Sequence, residues 1–188
     1  MGATLVAVIG VIITIVLAFT IVAFNKLRQL DVETEEALGG IDVQLTRRAD
    51  LVPNLVNTVK GYAGHEKAIF EEVTAARTGV AKAAASHDVD QKAQAEARLD
   101  RAIGNVIAVA ENYPDLKASA NFLQLQDQLA DTENQVAFAR QYYNDAVATL
   151  NKKVVTIPWM FFTGIAGVHK RPFYAAPEAH QAPPQVQF

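Results

Sequence analysis

The sequence predicts an all-α protein, with an N-terminal transmembrane helix followed by an up-and-down four-helix bundle of long helices. Three observations predict it. Residues 1–25 carry no charged side chain. Beyond them apolar residues recur at helical spacing, as in Ile41, Leu45, Ala49, Val52, Leu55, Val56 and Val59. No segment sustains the period-two alternation of a half-buried strand. The chain has 188 residues, 51% of them hydrophobic, which is one domain's worth and enough for a core.

The anchor comes first. Leu5 to Phe24 is apolar apart from Gly10, Thr14 and Thr20. A 20-residue helix spans about 30 Å, the hydrocarbon thickness of a bilayer. Leu5, Val8, Ile12, Ile15, Phe19 and Phe24 are expected among the membrane-spanning residues. A cleaved signal peptide is the rival reading. It requires a charged leader, a shorter apolar core and a small-residue cleavage site, and the Ile21-Val22-Ala23-Phe24-Asn25 end lacks that site. Lys26 and Arg28 follow the span and no Lys or Arg precedes it. The expected product is therefore a single-pass protein of the cell (inner) membrane, N-terminus outside and bundle cytoplasmic.

The body, residues 26–154, carries 15 Lys+Arg against 19 Asp+Glu. Gly61-Tyr62-Ala63-Gly64 can end a first helix, since glycine tolerates a left-handed cap. Ser86-His87-Asp88 supplies N-cap groups for a later one. Tyr113-Pro114 ends that one, because a residue before proline is pushed out of the α region. Helices are expected near 26–60, 65–84, 88–112 and 116–153. Pro53 would kink the first, and a three-helix reading with 41–84 continuous is the alternative. In the last helix Phe122, Leu129, Val136, Tyr143 and Leu150 stand seven apart, with Leu125, Thr132, Ala139 and Ala146 three further on. That is the seam expected to pack on other helices.

These blocks also carry a resemblance. Ile41-Asp42-Val43-Gln44-Leu45, Arg47-Arg48-Ala49-Asp50-Leu51-Val52-Pro53-Asn54-Leu55-Val56 and Thr58-Val59-Lys60-Gly61-Tyr62-Ala63 resemble the LemA family. So do Glu111-Asn112-Tyr113-Pro114-Asp115-Leu116-Lys117, Asn121-Phe122-Leu123 and Tyr142-Tyr143-Asn144. The resemblance covers roughly residues 1–175. It implies an N-terminal membrane helix with its short end outside, a four-helix bundle and no catalytic residues. A relative in magnetosome-forming bacteria is associated with shaping membrane invaginations. The tail departs from the pattern: small polar residues are usual after the Pro turn, whereas Trp159-Met160-Phe161-Phe162 follows Ile157-Pro158 here.

Chemistry is sparse. Cysteine is absent, which removes disulfides, thiolate metal sites and cysteine nucleophiles. The histidines are His65, His87, His169 and His180; Ile69 stands where His65-Glu66 would need a second histidine. Tyr62 and Ala84, three before His65 and His87, leave no Glu-x-x-His. Glu71-Glu72 and Glu33, Glu35 and Glu36 read as solvated faces, and Arg47-Arg48-Ala49-Asp50 as a surface charge pair. No catalytic residue, cofactor or metal is expected. With 17 Lys+Arg against 20 Asp+Glu, nucleic acid is not an expected partner.

Residues 155–188 form an apolar, aromatic membrane-proximal segment and a Pro-containing tail. Residues 155–168 are uncharged but too short to span. Trp159, Phe161, Phe162, Lys170 and Arg171 are the expected membrane-interface residues, since aromatics beside cations suit headgroup level. The competing reading folds this segment onto the end of the bundle. Residues 175–188, with Pro177, Pro183 and Pro184, read as an extended interaction tail. The expected function is a non-enzymatic, membrane-anchored helical scaffold that self-assembles and organises or remodels membrane. Its partners would be the lipid bilayer and further copies of itself. The alternative is a tethered adaptor presenting its bundle to another membrane protein, such as a protease or signalling partner.

Overall fold

The computed structural model describes residues 1–175, and within them the chain is helical with no strand. What the sequence leads one to expect of residues 176–188, including Pro177, Pro183, Pro184 and His180, lies outside the described residues. α1 runs Gly2–Lys60 without a break, so the span and the helix expected over 26–60 are one helix. The junction Asn25-Lys26-Leu27-Arg28-Gln29-Leu30 has no glycine or proline, and Lys, Leu, Arg and Gln are good helix formers. Pro53 lies inside α1 and removes one backbone hydrogen bond. The helix continues because Val52, Leu55, Val56 and Val59 are buried around it, and tertiary burial outweighs local propensity.

α1 ends where the Val59 carbonyl accepts the N–H groups of Tyr62 (3.0 Å) and Ala63 (2.9 Å). This break rules out a continuous helix over 41–84. It does not rest on a left-handed glycine, since neither Gly61 nor Gly64 has a positive φ. α2 spans Lys67–Ala84 and α3 spans Val89–Ala110. The Asp88 carboxylate caps α3, accepting from the N–H groups of Asp90 (2.9 Å) and Gln91 (3.2 Å). Tyr113 is extended before Pro114, which opens a separate single turn, α4, Pro114–Lys117. The helix expected over 116–153 therefore starts later, as α5, Ala120–Val155. A 3₁₀ turn, Trp159–Phe162, and a one-turn α6, Thr163–Ala166, follow.

These residues form two compact units. One holds Met1–Ala37 and Tyr142–Phe173; the other holds Leu38–Gln141 with Tyr174. In the second unit α2 and α3 pack on each other. Its buried apolar residues come from α1 (Ile41, Leu45, Val52), α2 (Phe70, Val73), α3 (Leu99, Val106) and α5 (Phe122, Leu129, Val136).

A ladder of ions crosses that unit. Lys92, Glu96 and Asp100 stand four apart on α3 and so share a face. Lys92 is 1% exposed. Its ammonium donates to both Asp42 oxygens (2.6 and 2.7 Å) and to the carbonyls of Ala83 (3.2 Å) and Ala84 (3.4 Å), the open C-terminal end of α2. Glu96 accepts from Arg140 (2.7 Å) and from the Tyr174 hydroxyl (2.8 Å). Arg48 reaches Asp100 (2.6 Å) and Glu133 (3.2 Å). Arg48 is thus buried and paired between helices, not a surface residue as expected. Its position explains this: it lies three after Leu45 and four before Val52, on the buried stripe itself. Burial raises the Glu96 pKa above its ordinary value, with Arg140 and Tyr174 opposing the shift. Burial and then the Glu96 carboxylate push the Tyr174 phenol up, so its proton stays in place for donation.

Candidate membrane interface

The site is built in the first unit, from one exposed stretch of α1 upward. An 18-residue window of α1 has mean hydropathy 3.1 and is 0% buried, so this helix is long and apolar enough to cross a membrane. Leu5, Val8, Ile12, Ile15, Phe19 and Phe24 are all exposed on it. Its hydroxyls need no outside partner: Thr14 donates to the Gly10 carbonyl (2.9 Å) and Thr20 to that of Val16 (2.8 Å). A bilayer core offers no water, so such internal satisfaction suits it.

Near the end of this run the tail folds against it. The Phe19 ring lies 6.3 Å from that of Trp159 and meets the Phe162 ring edge-on at 5.6 Å. Phe19 is five residues before Phe24, about 7 Å into the apolar run at 1.5 Å per residue. Interfacial elements settle at about that depth, 5–10 Å into the acyl boundary. Lys153 sits 4.2 Å above the Trp159 ring. The outer side of the turn stays bare: Ile157 is 72%, Phe161 67% and Ile165 66% exposed. An apolar surface of this kind rimmed by polar groups marks an interaction site.

The rest of the tail returns over the helices. Gly167 closes α6 with φ 64°, a left-handed conformation that favours glycine. The Val168 N–H donates back to the Thr163 carbonyl at 3.0 Å. This turn delivers Ala166 and Val168 into a buried cluster with Leu27, Leu30 and Leu150, against which Val154, Trp159 and Phe162 pack. Asn151 then holds Arg171 by its backbone twice, accepting its N–H and donating to its carbonyl, both at 2.9 Å. The Tyr143 hydroxyl donates to the Pro172 carbonyl at 2.9 Å, and burial raises the pKa of that phenol. Residues 166–173 therefore fold onto the helices of this unit, while the aromatic turn keeps an exposed apolar side.

The expected interface residues separate accordingly. Trp159 and Phe162 are half-buried against Phe19, and Phe161 and Lys170 are exposed. Arg171 does not reach outward: its guanidinium donates to Asp31 (2.8 and 3.2 Å) and Glu35 (2.6 Å). Burial works against its charge, and the bonds to Asp31 and Glu35 outweigh that, holding its pKa above the ordinary value. Glu35, read as solvated, is one of these partners. Of the seam residues, Phe122, Leu129 and Val136 are buried in the second unit, Tyr143 and Leu150 in the first. Sequence reasoning missed Lys152 and Lys153, and counted Lys26 only toward orientation. The signal was present, since residues 1–30 and 146–175 contain no Asp or Glu at all. No group of three or more His, Cys, Asp or Glu able to hold a metal occurs among the described residues.

The LemA family model matches residues 37–188. Magnetosome protein MamQ 2 of Paramagnetospirillum magneticum is 21% identical over 190 residues, covering 89% of this chain and 70% of that protein. Magnetosome protein MamQ of Magnetospirillum gryphiswaldense is 23% identical over 189 residues, covering 87% and 70%. Protein LemA of Metamycoplasma hominis is 25% identical over 134 residues, covering 70% and 59%. The family match starts at residue 37, beyond the apolar span.

Proposed function

The chain belongs to the LemA family, and on that premise we propose that it is a non-enzymatic, membrane-anchored helical scaffold that self-assembles and organises or remodels the bilayer holding it. The observation that carries this reading is the second apolar surface set against the span, where Trp159 and Phe162 pack on Phe19 while Phe161 and Ile165 stay bare. One helix alone holds a protein to a membrane. A helix with an aromatic turn at its base offers that bilayer a second apolar contact, as a membrane-organising protein requires. Similarity to two proteins named as magnetosome proteins favours a membrane-organising role over a catalytic one.

The finer architecture of this reading is an up-and-down four-helix bundle formed by α1 beyond the span, α2, α3 and α5. The topology is single-pass in the inner membrane, N-terminus outside and body cytoplasmic. Lys26 and Arg28 after the span support it, and Lys152 and Lys153 add cations beside the same base. Phe138, 72% exposed on α5, offers a contact to a further copy or, in the adaptor alternative, to another membrane protein.

The test is the size of the full-length protein extracted with its native lipid. Uniform particles of many copies are expected. Single chains, or one chain bound to one foreign membrane protein, would overturn the scaffold and leave the adaptor.

A further inference from the structure

We propose that the base of the first unit selects anionic phospholipid, through a basic rim of Lys26, Lys152, Lys153 and Lys170 around the aromatic turn. This rests on the interfacial reading of that turn and adds the headgroup chemistry it takes.

The argument is one of charge left over. Residues 1–30 and 146–175 build the base and contain six Lys+Arg and no Asp or Glu. Two of the six are neutralised from further along α1. Arg28 pairs with Asp31 at 3.1 Å, and Arg171 pairs with Asp31 and Glu35. The four lysines form no ion pair with a described residue. Lys26 donates to the neutral Gln29 at 3.4 Å, and Lys153 lies over the Trp159 ring. Lys152 and Lys170 are exposed, and Lys26 is half-buried.

The levels also agree. Lys26 is two residues past Phe24, the end of the apolar run, whereas Asp31 is seven past it, about 7.5 Å beyond Lys26 along the helix. Lys153 contacts the turn that Phe19 holds. Lys152 precedes it, and Lys170 follows Val168, which is buried with Leu27. Lys26 and the turn that Phe19 holds therefore lie nearer the apolar run than Asp31 does. Long lysine side chains lay their stems along apolar surface and lift the ammonium to the headgroups. There each is drawn to anionic lipid by a potential that decays within a Debye length.

Trp159 is the chain's single tryptophan and reports from the centre of this rim. The full-length protein would be reconstituted in vesicles of phosphatidylcholine and phosphatidylglycerol, with either lipid brominated at equal mole fraction. Brominated phosphatidylcholine should quench Trp159, which tests the depth of the turn. Brominated phosphatidylglycerol should quench it about two-fold or more strongly, with the excess falling as salt is added. The K26Q/K152Q/K170Q variant should lose the excess and keep the depth; Lys153 is left in place because its removal would itself alter the Trp159 emission. Equal quenching by the two lipids in the unaltered protein overturns the lipid selection and leaves the interfacial turn standing. An excess that survives in the variant overturns the assignment to these lysines. No quenching by either lipid overturns the interfacial reading itself.

Discussion

Lys92 and Lys152 are the same residue type put to opposite use. Lys92, in the second unit, is enclosed and makes four hydrogen bonds, two to the Asp42 carboxylate and two to carbonyls at the end of α2. Lys152, in the first, is exposed and pairs with no described anion. An enclosed charge is tolerated only when its partners replace water in full, because desolvation costs several kcal/mol per ion. An exposed one costs nothing to keep and stays available to a partner. The α3 ladder therefore ties helices together, whereas Lys152 and Lys170 at the base face outward.

The largest effect should come from breaking the ladder. Lys92→Ala leaves Asp42 without its cation and the end of α2 without its donor. Loss of one partner of a buried pair costs about 3–5 kcal/mol, read as a lower unfolding midpoint of the full chain in detergent. A loss under about 0.5 kcal/mol, the scale of ordinary surface changes, would erase the contrast between the two regions.

The ladder should also respond to pH. Burial raises the Glu96 pKa in the folded state. Between its unfolded and folded values the folded protein then holds the extra proton. Its stabilising contribution is complete below the unfolded value and is lost as pH rises through the folded one. Glu96→Gln cannot ionise, so its stability relative to the unaltered chain should improve as pH climbs past the ordinary carboxylate range. Unfolding midpoints of both proteins across that range decide it, and a flat or opposite trend removes the stated cause.

A smaller, local effect is expected at Asn151, which holds the returning tail at Arg171. Asn151→Ala removes two hydrogen bonds, each contributing about 0.5–1.5 kcal/mol. Hydrogen exchange at the Arg171 amide should speed up while amides of α2 and α3 keep their rates. Unchanged exchange would mean the tail is held by other contacts. The smallest effect sharpens the comparison from the other side. Lys152→Gln should leave stability within about 0.5 kcal/mol in the same unfolding measurement, and a larger loss would reveal a structural partner for that lysine.

Much of the helical layout was legible because it is local. A 20-residue uncharged run and a period near 3.6 need only neighbouring residues to be read. The Asp88 cap and the stop before Pro114 depend on one or two residues each. The continuity of α1 was not legible, because the charge change at Lys26 looks like a boundary while the backbone meets no breaker there. The single turn Pro114–Lys117 was missed for a related reason: Ala118 and Ser119 are weak punctuation, and the turn is held by the burial of Leu116. Arg48 shows how a misreading can arise with the signal in view. Its spacing placed it on the apolar stripe, yet its charge argued for the surface, and only the facing carboxylates of Asp100 and Glu133 resolve that conflict.

By itself, then, the sequence determined the all-helical class, the apolar helix and the family, since composition, period and ordered blocks are properties of contiguous chain. The tertiary structure alone decided which charges are occupied and which remain. Arg171 meets Asp31 and Glu35 across 140 and 136 positions, and Arg48 meets Glu133 across 85. Ion pairing depends on distance in space, which falls off within a few ångströms, and no spacing along the chain encodes it. The aromatic turn obeys the same rule. Trp159 read alone is a membrane-seeking residue; its contact with Phe19 places it at a particular level beside the span.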